Sequence, residues 1–296
     1  MRRLVVVADD FGASAEVNEA VESAHRAGIL TAASLMVAGA AAADAVARAR
    51  RMPRFRVGLH LTIVEGRPTL PASAVRSLVN ADGHLRSDMA ALGVLISVSP
   101  RARRELAAEI AAQFEAFRAT GLALDHCNAH KHFHLHPVVG RLIAEIGSRF
   151  GLRAVRVPLE PVRVLRQIES RTPWIGSLAI APAVLWLRRR ARAAGLLAAD
   201  RVFGLQWSGQ MTRQRLAALI ERLPEGLTEI YLHPACGPYE GSAPGYRYRD
   251  ELEALLAPEA RAACATGAIE MGGFSDFLDR GAARRAVAIR MQEEAP

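Results

Sequence analysis

The chain has 296 residues, 51% hydrophobic and 23% charged, a balance that excludes disorder and leaves ample apolar side chains for a large core. Its formal net charge is +8, with 38 basic residues of which only Lys131 is a lysine, yet aromatics are 5% and no basic stripe interleaved with stacking residues speaks for nucleic-acid binding. Three cysteines (Cys127, Cys236, Cys264) share no C-x-x-C spacing, which argues against a disulfide scaffold or zinc ribbon and for a reducing compartment.

The first apolar run, Leu4 to Val7, reads as a strand buried on both faces and meets Asp9-Asp10 before a signal-peptide core could form. No apolar run reaches the roughly 18 residues needed to span a bilayer, so a soluble cytoplasmic protein is expected. Ser14 is placed to cap a helix from Ala15 to Ala27, with Glu16 and Glu19 near its positive end and Gly28 as its stop. Further strands are expected at Ser34–Val37, Arg56–Leu61, Ala123–Ala129, Ala154–Val157, Val202–Leu205, Glu229–His233 and Gly267–Met271. Helical periodicity marks Ala41–Arg51, Ala102–Thr120, Val138–Phe150, Thr212–Leu223 and Asp250–Ala265, the last interrupted by Pro258. Strand-like runs alternating with helices give an α/β fold, a distorted (β/α) barrel, with a doubly wound open sheet as the alternative. No linker or repeat divides the chain, so 1–280 reads as one domain, followed by a C-terminal tail, 281–296, helical or mobile.

Polar side chains collect where these strands end: Asp9-Asp10, His60, the stretch from Asn128 to His136, Arg156, and His233-Pro234. In a barrel or an open α/β sheet the strand C-termini converge on one face, which would gather carboxylates, imidazoles and a guanidinium. Taken singly, each feature has a plain structural reading: Asp-Asp as a turn or cap, His60 as a packed histidine. The histidine tract is more specific, because His130, His132 and His134 alternate and on an extended segment would share a face. Two histidines and an aspartate suit a divalent ion with open positions, and nitrogen donors favour zinc. Of the neighbours Asp9 and Asp10, one can bind the ion while the other takes a proton, and His233 can return a proton from the opposite side. Base, metal and acid together describe metal-assisted hydrolysis.

At these residues the chain resembles the YdjC-like carbohydrate deacetylases, relatives of the NodB-type polysaccharide deacetylases. The resemblance runs from about Leu4 to Gly272 and rests on Ala8-Asp9-Asp10-Phe11-Gly12, Gly58-Leu59-His60, His130 to His134, and Leu232-His233-Pro234. The segments Gly28 to Val37, Asn128 to His132 and Arg156 to Glu160 are similar to a hopanoid-biosynthesis-associated branch called HpnK. The resemblance implies Asp10, His60 and His130 as metal ligands, Asp9 as base, His233 as acid, and Arg156 as the group that orients the base. Glu160, Trp174 and Trp186 are expected along the substrate cleft, and His132 and His134 either there, in support of the metal ligands, or on a second ion. Asn128 departs from the pattern, since many family members carry Asp there. One divalent ion is implied, zinc by ligand type, with magnesium or manganese also compatible with the family's metal use. The substrate implied is an N-acetylated amino-sugar conjugate, an N-acetylglucosaminyl hopanoid lipid. A metal-dependent phosphoesterase and a non-catalytic metal- or lipid-binding module are the rival readings.

The apolar stretch from Trp174 to Leu187, followed by Arg188, Arg189, Arg190 and Arg192, is too short to span a bilayer. It reads either as a buried barrel helix kinked at Pro182, as a segment on an anionic membrane surface at the inner membrane, or as a groove for the lipid.

Overall fold

The computed structural model describes residues 1–173 and 175–278; Trp174 and the tail 281–296 lie outside the described residues. Among the described residues seven strands form one sheet in which every pairing is parallel: β1 (Arg2–Phe11), β2 (Ala32–Leu35), β3 (Arg56–Leu61), β4 (Leu124–Ala129), β5 (Arg201–Phe203), β6 (Gly226–Leu232) and β7 (Ile269–Met271). Their order is β4-β3-β2-β1-β6-β5. On the edge of β1 away from β6, β7 pairs with Arg2–Leu4 and β2 pairs from Val7 upward. The sheet curls into a half-barrel.

The expected strand at Ala154–Val157 does not form. The segment makes single bridges instead, Cys127 to Val155 and Ala154 to Leu197. Arg156 N–H bonds to the Cys127 carbonyl at 3.0 Å, and Val202 N–H to the Leu159 carbonyl at 3.0 Å. An irregular thread thus spans the gap between β4 and β5 in place of an eighth strand.

Ten helices accompany the strands among the described residues: α1 (Ala15–Ala27), α2 (Ala42–Arg50), α3 (Met89–Val98), α4 (Pro100–Ala119), α5 (Pro137–Gly147), α6 (Val162–Ile168), α7 (Ile175–Ala193), α8 (Arg213–Glu221), α9 (Tyr248–Leu256) and α10 (Pro258–Ala265). Their starts follow local chemistry. Ser14, Asp88, Ser99 and Thr212 each accept a backbone N–H of the first turn, and Pro100, Pro137 and Pro258 sit where no N–H is needed. Two helices escape a periodicity reading: α3 is apolar on nearly every side, and α6 is too short to show a period.

The alternation of β1 defines the layers. Leu4, Val6 and Ala8 pack against the helices, while Val5 and Val7 join Ala32, Ala154, Val202, Leu227, Tyr231, Phe274 and Phe277 inside the curl. Each fully buried aliphatic side chain stabilises the fold by about 1.5–3 kcal/mol. Asp9 continues the inward-facing row and so opens at the mouth of the half-barrel.

Candidate active site

Asp9 is 2% exposed and its carboxylate is fully engaged. Arg156 Nη1 donates to Oδ2 at 2.5 Å and Nη2 to Oδ1 at 2.9 Å; Ser34 Oγ and Asn128 Nδ2 also donate to Oδ1, at 2.8 and 3.0 Å. Burial alone would raise this carboxyl, but the Arg156 guanidinium holds it well below the usual carboxylate range. Arg156 is itself wholly buried; its Nε donates to Glu229 Oε1 at 2.7 Å, and its Cζ lies 4.2 Å from the Tyr231 ring centre. One arginine, delivered by the irregular thread, therefore serves carboxylates from β1 and β6.

Asp10 faces elsewhere. Its backbone is left-handed (φ 62°), and the β1–β2 register shifts between Ala8 and Phe11, so the two-residue alternation breaks here. Its Oδ1 lies 3.2 Å from His60 Nε2 and 3.2 Å from His130 Nδ1, and those two nitrogens are 3.4 Å apart. Donors around one ion at bonds of about 2.0–2.1 Å stand roughly 3–3.4 Å apart, which is the spacing of this triangle. The ring chemistry agrees. His60 Nδ1 lies 2.7 Å from Asn128 Oδ1, which accepts its proton and leaves the Nε2 lone pair aimed at the Asp10 carboxylate. Burial would lower His130, but the Asp10 and Glu65 carboxylates pull it up to about 10. The Asp10 carboxylate and the His60 lone pair meet where the raised His130 places positive charge, a charge that a divalent ion bonded to the neutral ring would supply instead. The triad Asp10, His60 and His130 fits a divalent ion, and the combination is a possible metal site by donor type and spacing.

The strand ends explain the convergence. Asn128 sits opposite His60 in the β3–β4 register, and Ser34 opposite Gly58 in β2–β3. Gly58 is required by a close approach: a Cβ there would lie 2.6 Å from the His126 ring and from its carbonyl oxygen.

The histidine tract is not extended. It forms a 3₁₀ turn, His130–Leu135, with Lys131 and His132 left-handed (φ 52° and 53°). The shared face expected from alternation is therefore lost, and the three rings part company. His130 joins the triad; His132 Nε2 shares a 2.7 Å hydrogen bond with Tyr231 Oη; His134 Nε2 donates to the Arg156 carbonyl at 3.0 Å. Burial, with Arg156 nearby, drives His132 well below its ordinary value and His134 down to about 3, so both stay neutral.

His233, at the end of β6, stands between the Tyr231 and Tyr246 rings at 5.8 and 5.2 Å. Its backbone N–H donates to Glu251 Oε2 at 2.5 Å, while Nδ1 is buried without a hydrogen-bond partner and 3.9 Å from the same oxygen. Burial lowers it, with Asp10 and Asp9 opposing. Glu160 spends its oxygens on the backbone N–H groups of Gly204, Leu205 and Gln206 at 2.9 to 3.0 Å, bracing the loop after β5. Trp186 is half-buried on α7, packed over Gly140 of α5.

Sequence reasoning missed Ser34, Glu65, Glu229 and Tyr231, and left Asn128 without a role. Only Asn128 had a legible signal, as a polar residue near the end of β4, two positions before His130.

The sequence matches the profile of YdjC-like proteins over residues 3–266. The chain belongs to the YdjC-like family. Its relatives include the carbohydrate deacetylase of Homo sapiens, 32% identical over 93% of this chain and 91% of that one. Another is the carbohydrate deacetylase of Geobacillus stearothermophilus, 30% identical over 93% and 98%. The fold is shared with the crystal structure of an Enterococcus faecalis V583 protein ascribed to cellobiose-phosphate cleavage, with TM-score 0.73, 20% identity and coverage of 93% and 98%. The half-barrel is thus the fold of a YdjC-like chain whose full-length relatives are carbohydrate deacetylases, enzymes of the hydrolase class.

Proposed function

We propose that the protein removes the acetyl group from an N-acetylated amino-sugar conjugate whose aglycone is a lipid, an N-acetylglucosaminyl hopanoid. The observation that carries the deacetylase reading is the pair of neighbouring carboxylates with opposite partners: Asp9 on Arg156, Asp10 on two imidazoles. A divalent ion held by Asp10, His60 and His130 would supply Lewis acidity to a water and to the acetyl carbonyl. Zinc is the preferred ion by ligand type, with magnesium or manganese also compatible. Asp9, kept ionised and fixed in direction by Arg156, Ser34 and Asn128, receives the proton of the attacking water. His233 delivers a proton to the departing amine, its ring held between two tyrosines. His132 and His134, both neutral, secure Tyr231 and the Arg156 backbone, so they support the base instead of touching the acetyl group.

The lipid part rests on the resemblance to the HpnK branch and on an apolar groove of about 400 Å³ beginning at Pro158, two residues beyond Arg156. Leu159, Val162, Leu178, Ile180, Val184 and Leu205 line it. Helix α7 runs through Pro182; it buries Val184, Leu187 and Ala191 and exposes Leu178 and Leu185, a divided helix that suits both packing and lipid contact. No helix among the described residues is long and apolar enough to cross a membrane, so contact with an anionic leaflet would be peripheral.

Acetate release is measured from a soluble N-acetylglucosamine conjugate and from its lipid-linked counterpart, with phosphate release from an aryl phosphate alongside. Acetate from both, faster from the lipid-linked one, supports the full reading. Equal rates remove the lipid aglycone, and phosphate without acetate removes the deacetylase.

A further inference from the structure

Four non-glycine residues among the described residues have left-handed backbone: Asp10, Glu65, Lys131 and His132. Asp10 is one corner of the triad, and Lys131 and His132 follow His130 directly. Glu65 comes from a distant loop between β3 and α3 and carries no assigned role. Its loop is firmly tied: Gln113 bonds both backbone groups of Thr62 at 2.9 and 2.7 Å, Glu65 N–H bonds the Arg86 carbonyl at 3.1 Å, and Leu85 N–H the Gly66 carbonyl at 3.0 Å. This rigid backbone brings Glu65 Oε1 to Lys131 Nζ at 2.5 Å and Oε2 to His130 Nε2 at 3.7 Å. Strained backbone held on both sides of one contact marks a position that the fold over-determines.

The two imidazoles of the triad present opposite nitrogens, His60 its Nε2 and His130 its Nδ1. An imidazole that offers one nitrogen to an ion needs an acceptor for the proton on the other. His60 has Asn128 Oδ1 at 2.7 Å. For His130 the group facing Nε2 is Glu65, at a separation that a small ring rotation closes.

We propose that Glu65, seated by Lys131, is a positioning residue for His130: its carboxylate takes the Nε2–H and fixes the tautomer that turns Nδ1 toward the ion. The inference rests on the reading of Asp10, His60 and His130 as ligands. Lys131, the chain's only lysine, acts as the clasp: a compact ammonium between two loops, 43% exposed and so free of a packing role.

The test is the affinity of the full chain for Zn²⁺, measured by competition with a chromophoric chelator. Glu65→Ala should bind about 10–100-fold more weakly, and Glu65→Gln, whose amide oxygen still accepts, should recover most of the loss. Thermal unfolding in excess chelator should be unchanged in both, because Glu65 is 39% exposed at its side chain. Lys131→Met supplies a test of opposite sign, independent of Glu65 substitution. Removing a cation beside a cation site tightens binding by charge alone, whereas loss of the clasp weakens it. Affinity in Glu65→Ala within about twofold of wild type, or tighter binding in Lys131→Met, overturns the proposal. Asp10→Ala is the control for the underlying reading: undiminished binding there sinks the triad itself, whatever Glu65 does.

Discussion

Asp9 and Asp10 show how two chemically identical neighbours acquire different work from their surroundings. Asp9 is saturated by hydrogen-bond donors, whereas Asp10 faces two imidazole nitrogens at 3.2 Å. Asp9→Asn should therefore lower kcat by orders of magnitude while the purified protein keeps its metal content; Asp10→Ala should lose the metal. Measuring metal stoichiometry beside kcat in both variants checks the division, and equal metal loss in both would refute it. A second prediction concerns Gly58. Placing a Cβ 2.6 Å from the His126 ring and carbonyl forces the β3 backbone aside, just before His60. Gly58→Ala should cost about 1–3 kcal/mol in a urea titration and depress activity further than stability. At this scale the sequence was informative where a residue type is rare in its setting: adjacent acids after an apolar strand, an imidazole at a strand end. It was uninformative for Ser34, Glu229 and Tyr231, ordinary residues made functional by a register between strands remote in sequence.

Elements were legible in proportion to how far local signals decide them. Helix α1 begins after Ser14 and ends before Gly28, as its cap residues dictate, and β3 has the bounds its apolar run suggests. The thread at Ala154–Val157 and the histidine tract were misjudged for one reason. Both have an extended pattern, but tertiary demands override it: Arg156 must reach two carboxylates, and His130 must turn back toward Asp10. Helix α7 remained ambiguous in sequence because its apolar residues are spread around it, and in the fold it is in fact two-sided. Arg188 leans toward Asp200 at 4.0 Å, leaving Arg189, Arg190 and Arg192 exposed at its end. Changing those three to glutamine should weaken binding to anionic liposomes in low salt, by up to about 1 kcal/mol per residue. It should also reduce activity on a lipid-linked acetyl sugar more than on a soluble one. Liposome sedimentation paired with the two assays decides this, and equal losses on both substrates would return α7 to a packing role.

For the whole molecule, acid stability carries the imprint of the buried site. His134 stays neutral in the fold down to about 3, whereas an unfolded histidine takes up a proton below its ordinary value of 6.5. The unfolded chain thus binds more protons between those limits, so stability falls as pH drops through that window, by up to about 1.4 kcal/mol per pH unit. His134→Gln, which can still donate to the Arg156 carbonyl, should flatten that part of the curve; parallel wild-type and variant urea midpoints from pH 7 to pH 4.5 would contradict it. The half-barrel also divides the machinery mechanically. Asp9 and Asp10 are joined by a single peptide unit on β1, with their Cα atoms about 3.8 Å apart whatever the sheet does. His233 follows Leu232 on β6, which pairs directly with β1, Ala8 opposite Leu232, so base and acid are held by one strand pairing. His60 rides on β3 and His130 follows β4, two and three strands away, so the triad closes only while the curl keeps those strands in place. Loosening the sheet therefore opens the metal triangle before it separates Asp9 from His233. In sub-denaturing urea, Zn²⁺ affinity should fall ahead of the unfolding transition, and affinity unchanged up to that transition would contradict it. The covalent bond between two aspartates acts as a ruler that thermal motion cannot stretch, and the strand pairings that carry the two histidines of the triad are the spring.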